Sequence, residues 1–196
     1  MINLQYEAPD GRLAKLISSL YKLDYEGDSF SEIERADRAQ FRFQLVGSGE
    51  YHFSAGRVAP TYPVTIIGPT SAPVVAKANC PLTIFGWGML PAGWAALMGE
   101  EAEAYVDKAF DAQQIFGDWI MEVREQLIAG TDFAEQIEIG SLAAENVFRF
   151  RTKAPFEFTS KVDNWLTDNN DPDVKILAAS TGLSQRQLER MTKRYY

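Results

Sequence analysis

Ile176-Leu177-Ala178-Ala179-Ser180-Thr181-Gly182-Leu183-Ser184-Gln185-Arg186-Gln187-Leu188-Glu189-Arg190 is the stretch on which the reading of this chain turns. It spells two helices and the bend between them. Val174, Leu177 and Ala178 fall on one helical face. Gly182 then supplies the residue best able to take left-handed backbone and end a helix. Ser184 and Gln187 have the spacing of a capping box, in which each side chain bonds the other's backbone. Leu183 before the cap and Leu188 after it are placed as a hydrophobic staple. Leu188, Met191 and Tyr195 recur at helical spacing and face inward. Arg186, Glu189, Arg190 and Lys193 share the outward face. Two short helices on a tight glycine turn, the second with a polar and basic free face, predict a helix-turn-helix.

Working outward, Ser160-Lys161-Val162-Asp163 predicts the start of a preceding helix that buries Val162, Trp165 and Leu166. Asn169-Asn170-Asp171-Pro172 breaks it, with Asp171 as the next N-cap and Pro172 at the first helical position. Lys153-Ala154-Pro155 reads as a linker, because the residue before proline is pushed out of helical geometry. The chain thus divides into a body over 1–152 and a helical unit over 156–196.

The body opens with a predicted short helix after Pro9-Asp10-Gly11, carrying Leu13, Ile17 and Leu20. From about 21 to 90 the pattern is of strands. Phe41, Phe43 and Leu45 alternate with Arg42 and Gln44, the period of a half-buried strand. Tyr51 to Phe53, Val64 to Ile67, Val74-Val75 and Leu82 to Trp87 read as further strands, punctuated by glycine and proline. Short strands at this spacing predict a sandwich or barrel. From 91 to 152 the pattern is helical. Phe116, Ile120, Val123 and Leu127 form one stripe and stop before Gly130. Thr131 or Asp132 caps another helix, with Phe133, Ile137, Ala144, Val147 and Phe148. So short a connection predicts an antiparallel pair. The fold class expected is α+β.

The chain has 196 residues and a net charge of −8, which excludes a protein that coats nucleic acid along its whole surface. The imbalance is uneven: residues 1–152 hold 12 basic and 21 acidic side chains, residues 153–196 hold 7 and 6. Arg186, Arg190, Lys193 and Arg194 stand against Glu189 alone in the last fifteen residues, so only this tail draws phosphates. A helix fits the major groove, where arginine bonds guanine with two donors; Lys193 and Arg194 suit phosphates. The candidate DNA-contacting residues are Ser184, Gln185, Arg186, Glu189, Arg190, Lys193 and Arg194. For an ordinary helical hairpin a solvated charged face is the better account. Caps, staple, glycine turn and basic face together favour DNA.

No apolar run reaches membrane-spanning length and no secretory leader is read at the start, so a cytoplasmic protein without a membrane partner is expected. The single cysteine, Cys80, forms no internal disulfide and reads as a small buried hydrophobe. The single histidine, His52, is too few for a clustered metal site. No phosphate loop, nucleotide fingerprint or nucleophile elbow is present. No catalytic residue, metal or cofactor is expected, and the chain is read as a non-enzyme. Glu100, Glu101 and Glu103 read as a solvated helix start.

The run from Ile176 to Arg190 resembles the first helix-turn-helix of AraC-type regulators. Gly68-Pro69-Thr70, Phe85-Gly86-Trp87-Gly88-Met89-Leu90-Pro91-Ala92-Gly93-Trp94 and Leu97-Met98-Gly99 look like the sensor domain of one subgroup of that family. The resemblance implies that Arg186, Glu189 and Arg190 face bases. It also implies a cupin-like barrel or sandwich, then the antiparallel helical pair and the helix-turn-helix. Residues 1–152 become a sensor and dimerisation domain, and residues 156–196 a partial DNA-binding domain. Family members carry a second helix-turn-helix, so the chain is expected to be a fragment or a degenerate member. The partners implied are DNA, an unknown small-molecule effector and a second copy of the chain. A barrel mouth with apolar lining is the default effector site, and Phe41, Phe43, Tyr51, Tyr62 and Trp87 are its candidates. A protein–protein adaptor with a vestigial helix-turn-helix is the rival reading. A cupin-like enzyme is the third.

Overall fold

Period-two alternation builds most of the body. The computed structural model describes residues 1–99, 102–149, 155–168 and 172–196. Its strands are β1 (Ile2–Glu7), β2 (Ile17–Tyr25), β3 (Ser29–Glu34), β4 (Gln40–Val46), β5 (Gly49–His52), β6 (Val58–Pro60), β7 (Val64–Ile67), β8 (Val74–Asn79), β9 (Leu82–Met89) and β10 (Ala109–Asp111). Its helices are α1 (Pro91–Met98), α2 (Gln113–Phe116), α3 (Trp119–Ala129), α4 (Phe133–Phe148), α5 (Phe156–Asp168), α6 (Val174–Thr181) and α7 (Gln185–Tyr195). The α+β class is as expected.

Two antiparallel sheets face each other. One has the order β1-β2-β9-β4-β7-β10, the other β3-β8-β5-β6. They make a sandwich rather than a closed barrel, and the larger sheet takes in β1 and β10, outside the strand region read from sequence. Ile2, Leu4 and Tyr6 alternate with polar residues in β1 and pair with Tyr25, Leu23 and Tyr21 of β2.

The opening helix is corrected to one 3-10 turn, Leu13–Lys15, followed at once by β2. A bulge between Ile17 and Ser19 adds a residue to the strand. Ile17 and Leu20 therefore share a buried face although three positions apart. That spacing imitates a helix in the sequence.

Each face of the larger sheet is covered. Phe41, Phe43, Phe85 and Trp87 point to one side and pack with Ile120, Leu127, Ala144, Val147 and Phe148 of α3 and α4. Phe41 stacks on Trp87 with centroids 4.5 Å apart. Burying each such side chain stabilises by about 1.5–3 kcal/mol. Ile67, Leu82 and Ile84 point to the other side and meet Phe30, Tyr51, Val74 and Ala76 of the smaller sheet. Cys80 is half-buried against this second cluster.

The helical pair starts at α3, whose Ile120, Val123 and Leu127 are buried. Phe116 belongs instead to the separate short α2. Of the two candidate caps for α4, Asp132 serves: its Oδ1 accepts from Glu135 N at 2.9 Å. Gly140 lies where α4 crosses the sheet, and a Cβ there would fall 2.4 Å from Phe85 Cε1. Alanine favours an exposed helix over glycine by about 1 kcal/mol. Overpacking a fully buried ring costs about 1–3 kcal/mol. Gly140→Ala therefore lowers the midpoint of urea unfolding despite its better helix propensity, and an unchanged or raised midpoint would refute this packing.

Candidate functional site

Local chemistry sets the helical unit. The helix expected to start near Ser160 starts earlier, at Phe156, where the Pro155 carbonyl accepts from Thr159 N (3.0 Å) and Oγ1 (3.1 Å). Val162 is buried, whereas Leu166 is 48% exposed. The inward stripe passes instead through Phe158 and Val162, with Trp165 packed at its edge. Lys153, Ala154, Asn169, Asn170 and Asp171, named above for a linker, a break and a cap, lie outside the described residues. The observed N-cap of α6 is Asp173, whose Oδ1 accepts from Lys175 N at 2.8 Å. Val174, read as inward, is the first residue of α6 and is 46% exposed.

The turn and the last helix follow the sequence reading closely. Gly182 ends α6 in left-handed backbone, φ 69°. Gln187 N donates to Ser184 Oγ at 3.3 Å and Ser184 N donates to Gln187 Oε1 at 2.9 Å, completing the capping box. Leu188 is buried with Phe158, Val162 and Leu177, and Leu183, Met191 and Tyr195 pack on them. Ser184, Gln185, Arg186, Glu189, Arg190, Lys193 and Arg194 are all exposed. Five of them, Ser184, Arg186, Glu189, Arg190 and Lys193, line one groove of about 490 Å³ with Gln187. Gln185 and Arg194 are not brought into it; the Arg194 guanidinium lies over the Tyr195 ring, 5.6 Å from its centroid.

The opposite wall of that groove is Glu103, from the acidic run whose Glu100 and Glu101 lie outside the described residues. Lys193 Nζ sits 3.9 Å from Glu103 and 3.8 Å from Glu189. Both contacts are exposed and worth well under about 1 kcal/mol. A second contact ties the helical unit to the loop between β3 and β4. Tyr196 donates its hydroxyl to Asp163 Oδ1 (3.0 Å) and to Thr159 O (3.1 Å), and Arg38 Nη2 reaches the same carboxylate at 3.4 Å. Burial, with the Asp163 charge beside it, pushes the Tyr196 hydroxyl pKa up.

The aromatic effector candidates separate. Phe41, Phe43 and Trp87 have no exposed surface and point toward α2 and α3. They were expected at a barrel mouth, but β4 and β9 turn them to the helix-covered face. Tyr62 is half-buried before β7, its N–H on Thr65 Oγ1 at 2.9 Å. Tyr51 alone of the five lines the cavity beside the smaller sheet, of about 490 Å³, with Tyr21, Glu34, Arg42, Leu23 and Val74.

The residue sequence reasoning missed there is Arg42. Its Nη1 and Nη2 bond Glu34 Oε1 and Oε2 at 2.9 and 2.7 Å. Its Nε donates to Tyr21 Oη at 2.9 Å and Nη1 reaches Tyr51 Oη at 3.4 Å. Burial pushes both tyrosine pKa values up, against the pull of the arginine. Burial also pushes the Glu34 carboxyl up, but the charge and hydrogen bonds of Arg42 together outweigh it and hold Glu34 below its ordinary value. The available signal was a charged residue on the alternate face of an otherwise aromatic strand.

His52 Nε2 lies 2.5 Å from Glu50 Oε1. Among the described residues no group of histidine, cysteine and carboxylate side chains is placed to hold a metal, and no helix is long and apolar enough to cross a membrane.

No protein-family model matches the sequence, and no curated protein matches it. Among solved structures the chain is similar to the AraC-like transcriptional activator CuxR, at 13% identity, covering 94% of this chain and 78% of that one, with a TM-score of 0.42. It is also similar to an apo variant of ToxT from Vibrio cholerae strain SCE256, at 8% identity, covering 100% and 74%, with a TM-score of 0.45.

Proposed function

We propose that this chain is a ligand-responsive, DNA-binding transcription regulator acting in the cytoplasm. One observation carries the reading: a fully capped helix pair around Gly182 holds Arg186, Glu189, Arg190 and Lys193 exposed on a single face of α7. That is the form of an element that enters a major groove. Residues 156–196 are the DNA-reading unit, and residues 1–152 the sensor. The effector site is assigned to the cavity holding Tyr21, Arg42 and Tyr51, replacing the aromatic set that the helices cover. A second copy of the chain pairs through α4, where Leu142 is 62% exposed between Glu138 and Glu145. An effector shifts such a protein only by binding one state better than the other.

Titration of a labelled duplex against the intact chain at increasing salt tests this. Lys193 and Arg194 on two phosphates give a slope of log K on log salt of about −2. A flat response would leave the adaptor reading, which the facing of α7 toward Glu103 favours.

A further inference from the structure

Arg38 occupies two places at once. It lines the cavity beside the smaller sheet, and it also bonds Asp163 of α5. We propose that the cavity takes an aromatic carboxylate, which wins Arg38 from Asp163 and so loosens α5 and α7 from the body of the chain. This rests on the ligand-responsive reading above and names the class of ligand and its route to α7.

Charge sets the sign of the ligand. The cavity wall carries Arg35, Arg38 and Arg42 against Glu34 and Asp37, an excess of one positive charge in a chain of net −8. Arg42 and Glu34 neutralise each other. Asp37 is spent on Arg38 N at 2.7 Å and Gln40 Nε2 at 3.0 Å. Arg35 has no hydrogen bond or ion pair among the described residues and is exposed at the rim. Asp163 offsets that excess from outside the cavity through Arg38, and a ligand carboxylate takes over its place.

The walls set the body of the ligand. Leu4, Tyr6 and Leu23 supply one apolar side, where Tyr6 and Tyr21 hold their rings 6.1 Å apart at 51°. Tyr6 is 61% exposed. A flat apolar group against these rings buries them. The volume, about 490 Å³, is in the range that encloses small organic ligands.

Geometry decides the competition. The Arg38–Asp163 contact is long, 3.4 Å, with side chains 45% and 27% exposed. Such a pair is weak. A carboxylate held by two parallel N–H bonds at about 2.7–2.9 Å is the stronger partner for a guanidinium. Once Arg38 leaves, Asp163 keeps only the Tyr196 hydroxyl among these groups, and the ion pair between the β3–β4 loop and α5 is gone.

The experiment uses the full chain with 2-naphthoate and its neutral isostere 2-naphthamide. Calorimetry reads binding, and amide hydrogen exchange reads α5 and α7. The acid is expected to bind about tenfold or more tighter than the amide, a difference of about 1.4 kcal/mol, and Arg38→Gln to reduce it to the level of the amide. Exchange in α5 and α7 is expected to quicken several-fold when the acid binds. In Arg38→Gln it is already fast and the acid adds nothing. Equal binding of acid and amide overturns the anionic site while leaving a ligand-responsive sensor standing. Tight binding of the acid with unchanged exchange overturns the coupling. Binding of neither overturns the proposal, and duplex binding by the same preparation then shows separately whether the regulator reading stands.

Discussion

Glu34→Gln lowers the melting temperature by roughly 5–15 °C, and by more than Arg42→Met does. The two changes break the same bidentate pair but leave different remains. Arg42 is 11% exposed in its side chain and Glu34 36%. Without Glu34, a guanidinium that cannot lose its proton stays between the sheets with only tyrosine hydroxyls to face. Breaking a buried pair by removing one partner costs about 3–5 kcal/mol. Solvent at Glu34 screens part of this, so about 2–4 kcal/mol is expected here. Without Arg42, the remaining carboxylate hydrates through its open third or takes a proton. Arg42→Met with Glu34→Leu recovers most of the loss, since an apolar pair of similar volume replaces both charges. Calorimetry of the three variants checks the order. A Glu34→Gln chain melting within 2 °C of the parent would refute the buried-pair account.

The same pair makes stability depend on acid. Glu34 has a folded-state carboxyl below its ordinary value of 4.5, despite the burial that pushes it up, because Arg42 outweighs that burial. A depressed carboxyl stabilises fully above its unfolded value, and the contribution drains away as pH falls through the folded one. The parent chain therefore loses more stability below pH 4.5 than Glu34→Gln does.

The features legible in the sequence are those decided within a few residues. The Ser184–Gln187 box, the left-handed Gly182 and the Leu183–Leu188 staple are local, and a reader who knows backbone capping finds them. The failures have a common cause as well. Alternation in β4 says that Phe41 and Arg42 face opposite ways, but not what lies over each. The larger sheet is covered twice, by helices on the phenylalanine side and by the smaller sheet on the arginine side. Hence Arg42 is buried with its own counter-ion, and Phe41, Phe43 and Trp87 are withdrawn from any ligand. Gly140 shows the same limit: nothing near it in the chain announces the Phe85 ring. In β2 the bulge at Ile17 produced an apolar spacing proper to a helix, and only pairing with β9 reveals it. For β1 the signal was present, since Ile2, Leu4 and Tyr6 alternate with Asn3, Gln5 and Glu7.

Arg186→Ala and Arg190→Ala each weaken binding to a cognate duplex by about 1–3 kcal/mol, roughly 5- to 150-fold, while leaving the salt slope unchanged. Lys193→Ala does the reverse: it weakens all duplexes alike and lowers the slope by about one. The difference follows from what each side chain meets. Arg186 and Arg190 are one turn apart on the exposed face of α7, and in the proposed mode a guanidinium there would reach the paired acceptors of guanine. Lys193, a turn further on, is a point charge suited to phosphate. The face is not open as the structure stands, because Glu103 forms the far wall of its groove. The Lys193–Glu103 contact is long and exposed, so DNA displaces it at little cost. Glu103→Gln should then raise affinity for every sequence by a small and equal factor, leaving discrimination between sequences untouched. Competition binding with cognate and scrambled duplexes separates these effects. If Arg186→Ala and Arg190→Ala lose no more on the cognate duplex than on the scrambled one, α7 does not read bases.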